Sequence, residues 1–544
     1  MKNFHRRLLR TAAGILQPAS CFLAIAACFL LTAATDFTAE GKRWWSHIEY
    51  LASDDLQGRN TGSEGHLKAA RYIAGEFERS GLKPAGTSGY FQPVKFDVKQ
   101  IVEEPSRLAL IYKGKPQLLK LGEDATLGMR GDIQEDTEAG AVFVGYGLQV
   151  PEKNYDDLAG LNLKGKIAVF LSGGPSSIPG PLKSHYSSGG ERWKYLKAAG
   201  AVGIATIQNP KSMDVPWSRQ SLARTMPSMS LADPALDESK GLRITITINA
   251  EHADKFFQGT GHTIAEILAA ADADKPLPRF PLAASIDAKV QIKKSQVESQ
   301  NVAGLLPGSD AKLKNEYVVL TAHLDHVGVG QPINGDAIYN GAMDDASGIA
   351  SILEIARLLH ESNVKVRRSV LFLAVTGEEK GLQGSRYFAA HPTVNEKNIV
   401  ADINLDMFLP IHSLHYIEVQ GLAESTLGDD IRAVATQAGV ELQADKEPQR
   451  NLFIRSDQYS FIRKGIPALA FKFGYLPGSP EEKLHKDWLK ERYHAPSDDV
   501  KQPVDKTAAA QFNQIILNLA ERVANANGRP QWKQDSFFRR FAAD

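Results

Sequence analysis

Residues 316–348 read EYVVLTAHLDHVGVGQPINGDAIYNGAMDDASG and hold a dense set of side chains able to do chemistry. His323 and Asp325 close the apolar, β-branched run 317–322, and Asp344 and Asp345 follow a Gly/Asn-rich loop. Residues i and i+2 of a strand share a face, so Asp325 is placed to hydrogen-bond one imidazole nitrogen of His323 and leave the other for a metal ion. Further clusters come later: Glu378 and Glu379 after the run 369–375, Asp406 after 399–405, and Tyr493 and His494 in KERYHAPSDD. A single strand-end carboxylate most simply caps a turn or helix, and for Asp345, Asp402 or Asp457 taken alone that account is preferred. Five convergent positions ask for more. His323, Asp344, Glu379, Asp406 and His494 are two imidazoles and three carboxylates. If one carboxylate bridges, each of two divalent cations receives two ligands of its own plus the shared one. Room remains for a bridging water, which makes the set open in the way a catalytic zinc site is. Glu378 is left over beside its ligand neighbour and is placed to act as general base. Asp325 and Asp345 are left to support the ligands from behind.

The elements that must hold these groups alternate strand and helix. Runs 317–322, 369–375, 399–405 and 466–473 read as buried strands, with helices expected at 348–361 and 429–438. That pattern predicts an α/β fold with a mixed, mostly parallel sheet flanked by helices, its ligands gathered beyond the carboxyl ends of the strands. Near the amino end, 38–53 reads as an amphipathic helix. A second helix is bracketed by Thr61 or Ser63 and by Gly81. Asp54, Asp55 and Arg59 lie between them, in what reads as a solvated loop. From about residue 125 the texture changes to short strands and turns, with strands at 140–148, 166–171 and 242–249 around a helix at 191–200. This is a smaller α/β unit without clustered metal-ligand residues, and its chain returns to the main sheet near 284–292. The expected organisation is a leader at 1–34, a first catalytic part at 35–124, an insertion at 125–270 and a second catalytic part at 271–544.

Composition narrows the partners. The 544 residues carry 63 basic and 63 acidic side chains, and this balance gives no reason to expect nucleic acid or an anionic surface. Cys21 and Cys28 are the only cysteines, so no disulfide can form beyond them. Lys2, Arg6, Arg7 and Arg10 lead into an apolar stretch at 21–34 that ends in small residues. It falls short of the ~20 residues that span a bilayer. It therefore reads as a cleaved export signal, with a retained membrane anchor as the alternative; cleavage gives a periplasmic or secreted protein without stable membrane association.

The succession AHLDHVG, GAMDDASG, TGEEKGLQGS, NLDM and YHAPSDD resembles the co-catalytic dizinc aminopeptidases, the family-28 metallopeptidases. The insertion resembles the protease-associated domain that many of them carry. The resemblance implies a zinc exopeptidase-like fold and peptide substrates. It makes His323 and Asp406 ligands of one zinc, Glu379 and His494 ligands of the other, Asp344 the bridge and Glu378 the base. It further implies a cis peptide after the bridging aspartate and an oxyanion-stabilising role for Tyr493. Carboxypeptidases and receptor-like members without metal belong to the same group. A carboxypeptidase, a dipeptidase and a non-catalytic binding module therefore stand as the alternatives.

Overall fold

Tyr317–His323, Ser369–Val375, Ile399–Asn404 and Ala468–Gly474 are strands buried along nearly their whole length. In the computed structural model, which describes residues 36–450 and 452–542, they lie side by side and parallel. The expected leader lies outside the described residues. Alternation sends successive side chains to opposite faces. Val318, Leu320 and Ala322 join a core with the helices Thr38–Leu51, Ser347–Glu361 and Lys506–Asn525. Val319, Leu371, Leu373 and Val375 meet Phe388 and Phe461 on the other face. Both faces are thus covered, and this explains why the strands read as unbroken apolar runs.

Register decides what emerges at the strand ends. His323 pairs with Val375, and Thr321 pairs with Asn404. The turn after Val375 and Asp406, two residues past Asn404, therefore leave the sheet level with His323.

Outward from Ser369–Val375 the sheet continues antiparallel into Arg279–Leu306 and then into Asp136–Val144. Beyond these lie the parallel strands Ile167–Leu171, Gly203–Ile207 and Ile244–Ile248. Arg279–Leu306 also runs antiparallel to Phe91–Tyr112, making a long ribbon between the catalytic strands and the residues of the expected insertion. Phe143, Val169, Ile207, Ile246 and Phe256 build an apolar cluster of their own there. The run expected as a strand at 140–148 leaves the sheet after Val144, because Gly145 and Gly147 take positive φ values that turn the chain. Among the described residues, no helix is long and apolar enough to cross a membrane.

The loop Asp54–Arg59 departs from the solvated expectation. Arg59 is buried and donates to the carbonyls of Leu324 (2.9 Å), Asn340 (2.7 Å), Gly341 (2.9 Å) and Leu51. One guanidinium thus satisfies four backbone acceptors behind the loops that carry His323 and Asp344, a use of its five-donor fork that composition does not reveal.

Candidate metal centre

Each ligand candidate reaches the centre on a different element. His323 ends its strand, Glu379 lies in the turn after Ser369–Val375, and Asp406 follows Ile399–Asn404. Asp344 sits in the irregular turn Ala342–Ala346, and His494 comes from the loop after the helix Pro480–Glu491. Gly341, at positive φ, is required at the entry to the Asp344 turn, because a Cβ there would run into the Asp344 carbonyl and the His326 ring. The peptide joining Asp344 to Asp345 is cis.

The two oxygens of Asp344 face different partners. Oδ1 lies 3.1 Å from His323 Nε2, which is also 3.6 Å from Asp406 Oδ1. Oδ2 lies 3.2 Å from His494 Nε2, which is in turn 3.1 Å from Glu379 Oε2. All five expected ligands therefore converge, with Asp344 shared between two groups.

A sixth group was not foreseen. His326 Nδ1 stands 2.9 Å from Glu379 Oε1 and 3.9 Å from Asp344 Oδ2. His326, Asp344 and Glu379 form one cluster whose ligand atoms all lie within 4.8 Å of each other, and His323, Asp344 and Asp406 form another. AHLDHVG displays His326 openly, but the chain leaves its strand at His323, so strand alternation gives no guide to where the third residue onward points.

Divalent cations fit this donor set. His323 Nε2, both ring nitrogens of His326, Asp344 Oδ2 and Glu379 Oε1 are buried and make no well-directed hydrogen bond, although imidazole nitrogens and carboxylate oxygens crowd together there. Buried polar atoms are otherwise almost always paired, so such a cluster of orphans marks a place shaped for ions. The electrostatics agree. Burial opposes a charge on His323, yet Glu378, Asp344 and Asp406 outweigh it and raise the imidazole well above its usual value. His494 is likewise pushed up to about 10, with Glu379 and Asp344 overcoming burial. The carboxylates demand positive charge between them.

Supporting groups differ from expectation in one case. The carboxylate of Asp325 does not hold His323: its nearer oxygen is 4.0 Å from Nδ1, and the Asp325 carbonyl takes that place at 3.0 Å. The chain turns away after the strand, which brings the carbonyl under the ring. The freed carboxylate accepts from Thr61 Oγ1 (2.7 Å) and from the backbone N–H of Glu378 (3.1 Å), and so positions the Glu378 turn. Asp345 accepts from the N–H groups of His323, Gly348 and Met407, tying three segments together. Asp498, in the motif YHAPSDD, accepts from the N–H groups of Met343 (2.9 Å) and Asp344 (3.1 Å). The loop bearing His494 thereby also aims the shared aspartate, a role with no sequence signal beyond proximity.

Glu378 and Tyr493 border the same small cavity as Asp344, Asp406 and His494. Burial raises the Glu378 carboxyl well above the usual carboxylate range, against the pull of His323. Burial likewise holds the Tyr493 phenol well above its ordinary value, and its ring packs on His494 with centroids 4.0 Å apart.

The expected insertion reaches this loop as well. Arg219 donates to the carbonyls of Lys490 and Tyr493, each at 2.8 Å, and to that of Leu489. Among the described residues the insertion supplies no ligand to this centre, but it does hold the backbone beside one. A second and larger cavity of about 440 Å³ lies between Arg219, Met213 and Met226 on one side and Tyr339, Tyr493 and His494 on the other.

Residues 301–520 match the family model described as Peptidase family M28. Over these residues the chain matches peptidase family M28. A probable leucine aminopeptidase 2 of Aspergillus oryzae is 35% identical over 197 residues, covering 34% of this chain and 35% of that protein. A probable zinc metalloprotease of Pyrenophora teres f. teres is 35% identical over 111 residues, or 20% and 23% of the two chains. The match spans about a third or less of these curated relatives. The fold extends further. An aminopeptidase from Aneurinibacillus sp. strain AM-1 superposes with a TM-score of 0.54 over 90% of this chain and 95% of its own, at 20% identity. A zinc aminopeptidase from Bacillus subtilis gives 0.50 over 92% and 97%, at 21% identity. The region matched to family M28 thus sits in the mixed, mostly parallel sheet with flanking helices that these structures share.

Proposed function

We propose that this protein is an exported dizinc exopeptidase that removes residues from the amino end of peptides. The observation that carries the reading is the division of Asp344, one oxygen toward His323 and Asp406 and the other toward His494 and Glu379, beside the half-buried Glu378 carboxylate. The names of the relatives support zinc as the metal and an amino-end activity. Export is supported by the basic start and apolar stretch of residues 2–34. The insertion at 125–270 is read as a protease-associated domain, supported by an apolar cluster separate from that of the central strands, which it shares with flanking residues such as Leu108, Leu110, Phe280 and Ile286.

When bound, the ion pair supplies Lewis acidity to a water and to the scissile carbonyl. His323 and Asp406 would hold one ion and Glu379 and His494 the other, with Asp344 between them and His326 on the Glu379 side. Glu378 takes a proton from the attacking water as the water oxygen bonds to the carbonyl carbon, and returns it to the leaving nitrogen as the C–N bond breaks. Asp325, by holding the Glu378 N–H, keeps that carboxylate in place. Tyr493 donates its phenol hydrogen to the carbonyl oxygen as negative charge develops there.

The test is elemental analysis joined to kinetics. The purified chain should hold close to two zinc ions and hydrolyse amino-acid anilides, with activity lost on chelation and recovered with zinc. Blocking the substrate amine should abolish turnover. Saturation at one ion would reject the shared role of Asp344, and equal rates on blocked and free substrates would reject the amino-end reading.

A further inference from the structure

The cavity bordered by Asp344, Glu378 and Asp406 is bordered also by Arg450, Arg455 and Lys472. Among the described residues none of the three forms a direct ion pair with a candidate metal ligand, although Lys472 feels Asp406, and Arg455 feels Glu378, at longer range. Arg455 Nη1 donates to Asp214 Oδ2 at 2.6 Å, and Arg450 donates to the other oxygen of the same carboxylate. Arg450 Nη1 donates also to Glu447 at 2.6 Å. Lys472 lies on Ala468–Gly474 directly across from Glu418. Glu418 is already taken, accepting from Gln420 Nε2 and Lys446 Nζ, each at 3.0 Å. Among the described residues, no carboxylate lies within ion-pairing distance of the Lys472 ammonium, and Arg455 makes no side-chain hydrogen bond other than the one to Asp214. Among the described residues the two arginines thus share the ion-pairing carboxylates Asp214 and Glu447, and Lys472 is left without one, in a wall that faces the candidate metal centre.

An unpaired ammonium and a guanidinium with spare N–H groups are a carboxylate receptor. We propose that this cavity takes a substrate carboxylate beside the scissile bond, held by Lys472 and Arg455. Asp214 does not serve as a receptor for the substrate amine, since both of its oxygens are occupied by guanidinium groups. The carboxylate has two sources: the side chain of an acidic first residue, or the free carboxyl end of a very short peptide. A neutral side chain in its place leaves Lys472 desolvated and unpaired, and this discriminates against uncharged isosteres. The inference rests on reading the centre as a peptidase site and names the substrate class for it.

The experiment uses the full chain with its zinc content verified. Rates on the 4-nitroanilides of glutamate, glutamine and leucine are compared, alongside the dipeptide Leu-Ala and its carboxamide. We expect the glutamate anilide to exceed the glutamine anilide by on the order of 10- to 100-fold in kcat/KM, the worth of one charge-assisted hydrogen bond. A preference of that size for Leu-Ala over its carboxamide instead assigns the cavity to a carboxyl end and supports the same receptor. In Lys472→Met the preference should collapse toward one at unchanged zinc content, and Lys472→Gln serves if the methionine variant does not fold. Equal rates for acid and amide in both pairs, or a preference surviving the loss of Lys472, overturns the proposal. Cleavage of amine-blocked substrates defeats only the amino-end reading, because the acid–amide ratios still report on the cavity. If nothing is hydrolysed, calorimetric binding of free glutamate against glutamine decides the receptor without activity.

Discussion

Glu378 and Glu379 are neighbours of the same chemistry set to different work by where their carboxylates lie. Glu379 has both oxygens against histidines, at 2.9 Å from His326 and 3.1 Å from His494. Glu378 borders the cavity and is positioned through its backbone by Asp325. Glu378→Gln should keep both metals and lose on the order of 10²–10⁴ in kcat, the usual worth of a positioned base. Glu379→Gln should lose metal and activity together, so zinc content and kcat measured on both variants separate the roles. Near wild-type turnover by metal-replete Glu378→Gln would sink the mechanism. His326 is the second residue to test. Its buried ring, with Nδ1 2.9 Å from Glu379 and no well-directed hydrogen bond at either nitrogen, predicts that His326→Ala weakens metal binding by about 10- to 100-fold. Competition with a zinc chelator reads this directly, and unchanged affinity would reduce His326 to packing.

The elements that matter most are those that carry no ligand. The helix Pro480–Glu491 ends where Arg219 spans the carbonyls of Leu489, Lys490 and Tyr493. These bonds fix the approach of the chain to His494, whose positive φ leaves little freedom for any other path. Arg219→Ala should therefore lower kcat by on the order of 10- to 100-fold through misplacement of Tyr493 and His494. Hydrogen exchange over residues 489–495 should quicken in the same variant. Exchange that stays slow while activity falls would mean that Arg219 acts on the substrate instead. On the opposite flank, Arg59 and Asp345 do comparable work, joining loops that are far apart in sequence by charged side chains aimed at backbone groups.

At the scale of the whole molecule, buried neutral histidines couple stability to acid. Burial, reinforced by Arg59, lowers His66 to about 3, and burial lowers His185 to about 4. Both lie below the ordinary value near 6.5, so the unfolded chain binds these protons first as pH falls. Their contribution is whole above pH 6.5 and drains away as pH drops toward the folded values. For His66 alone the loss is about 2 kcal/mol at pH 5, from about 1.4 kcal/mol per pH unit. Denaturation midpoints should fall between pH 7 and pH 5, and His66→Asn should flatten that slope. A slope unchanged by His66→Asn would place the acid sensitivity elsewhere.

The order of strands and helices and the strand ends at which His323, Glu379 and Asp406 emerge were legible in the chain because they follow from short-range periodicity, while Asp344 and His494 stood out by residue type in their loops. A strand buried on both faces shows as an unbroken apolar run, and the residue that ends it shows as the first polar one, as with His323. What the tertiary structure decided depends on partners distant in sequence. It turned the Asp325 carboxylate from His323 to the Glu378 turn, and it brought Asp498 onto the Asp344 loop. It buried Arg59 under four carbonyls and set Asp214 of the insertion against Arg450 and Arg455. A hydrogen bond between residues more than a hundred positions apart leaves no period in the sequence; it exists only once register and loop path have set both ends within 3 Å.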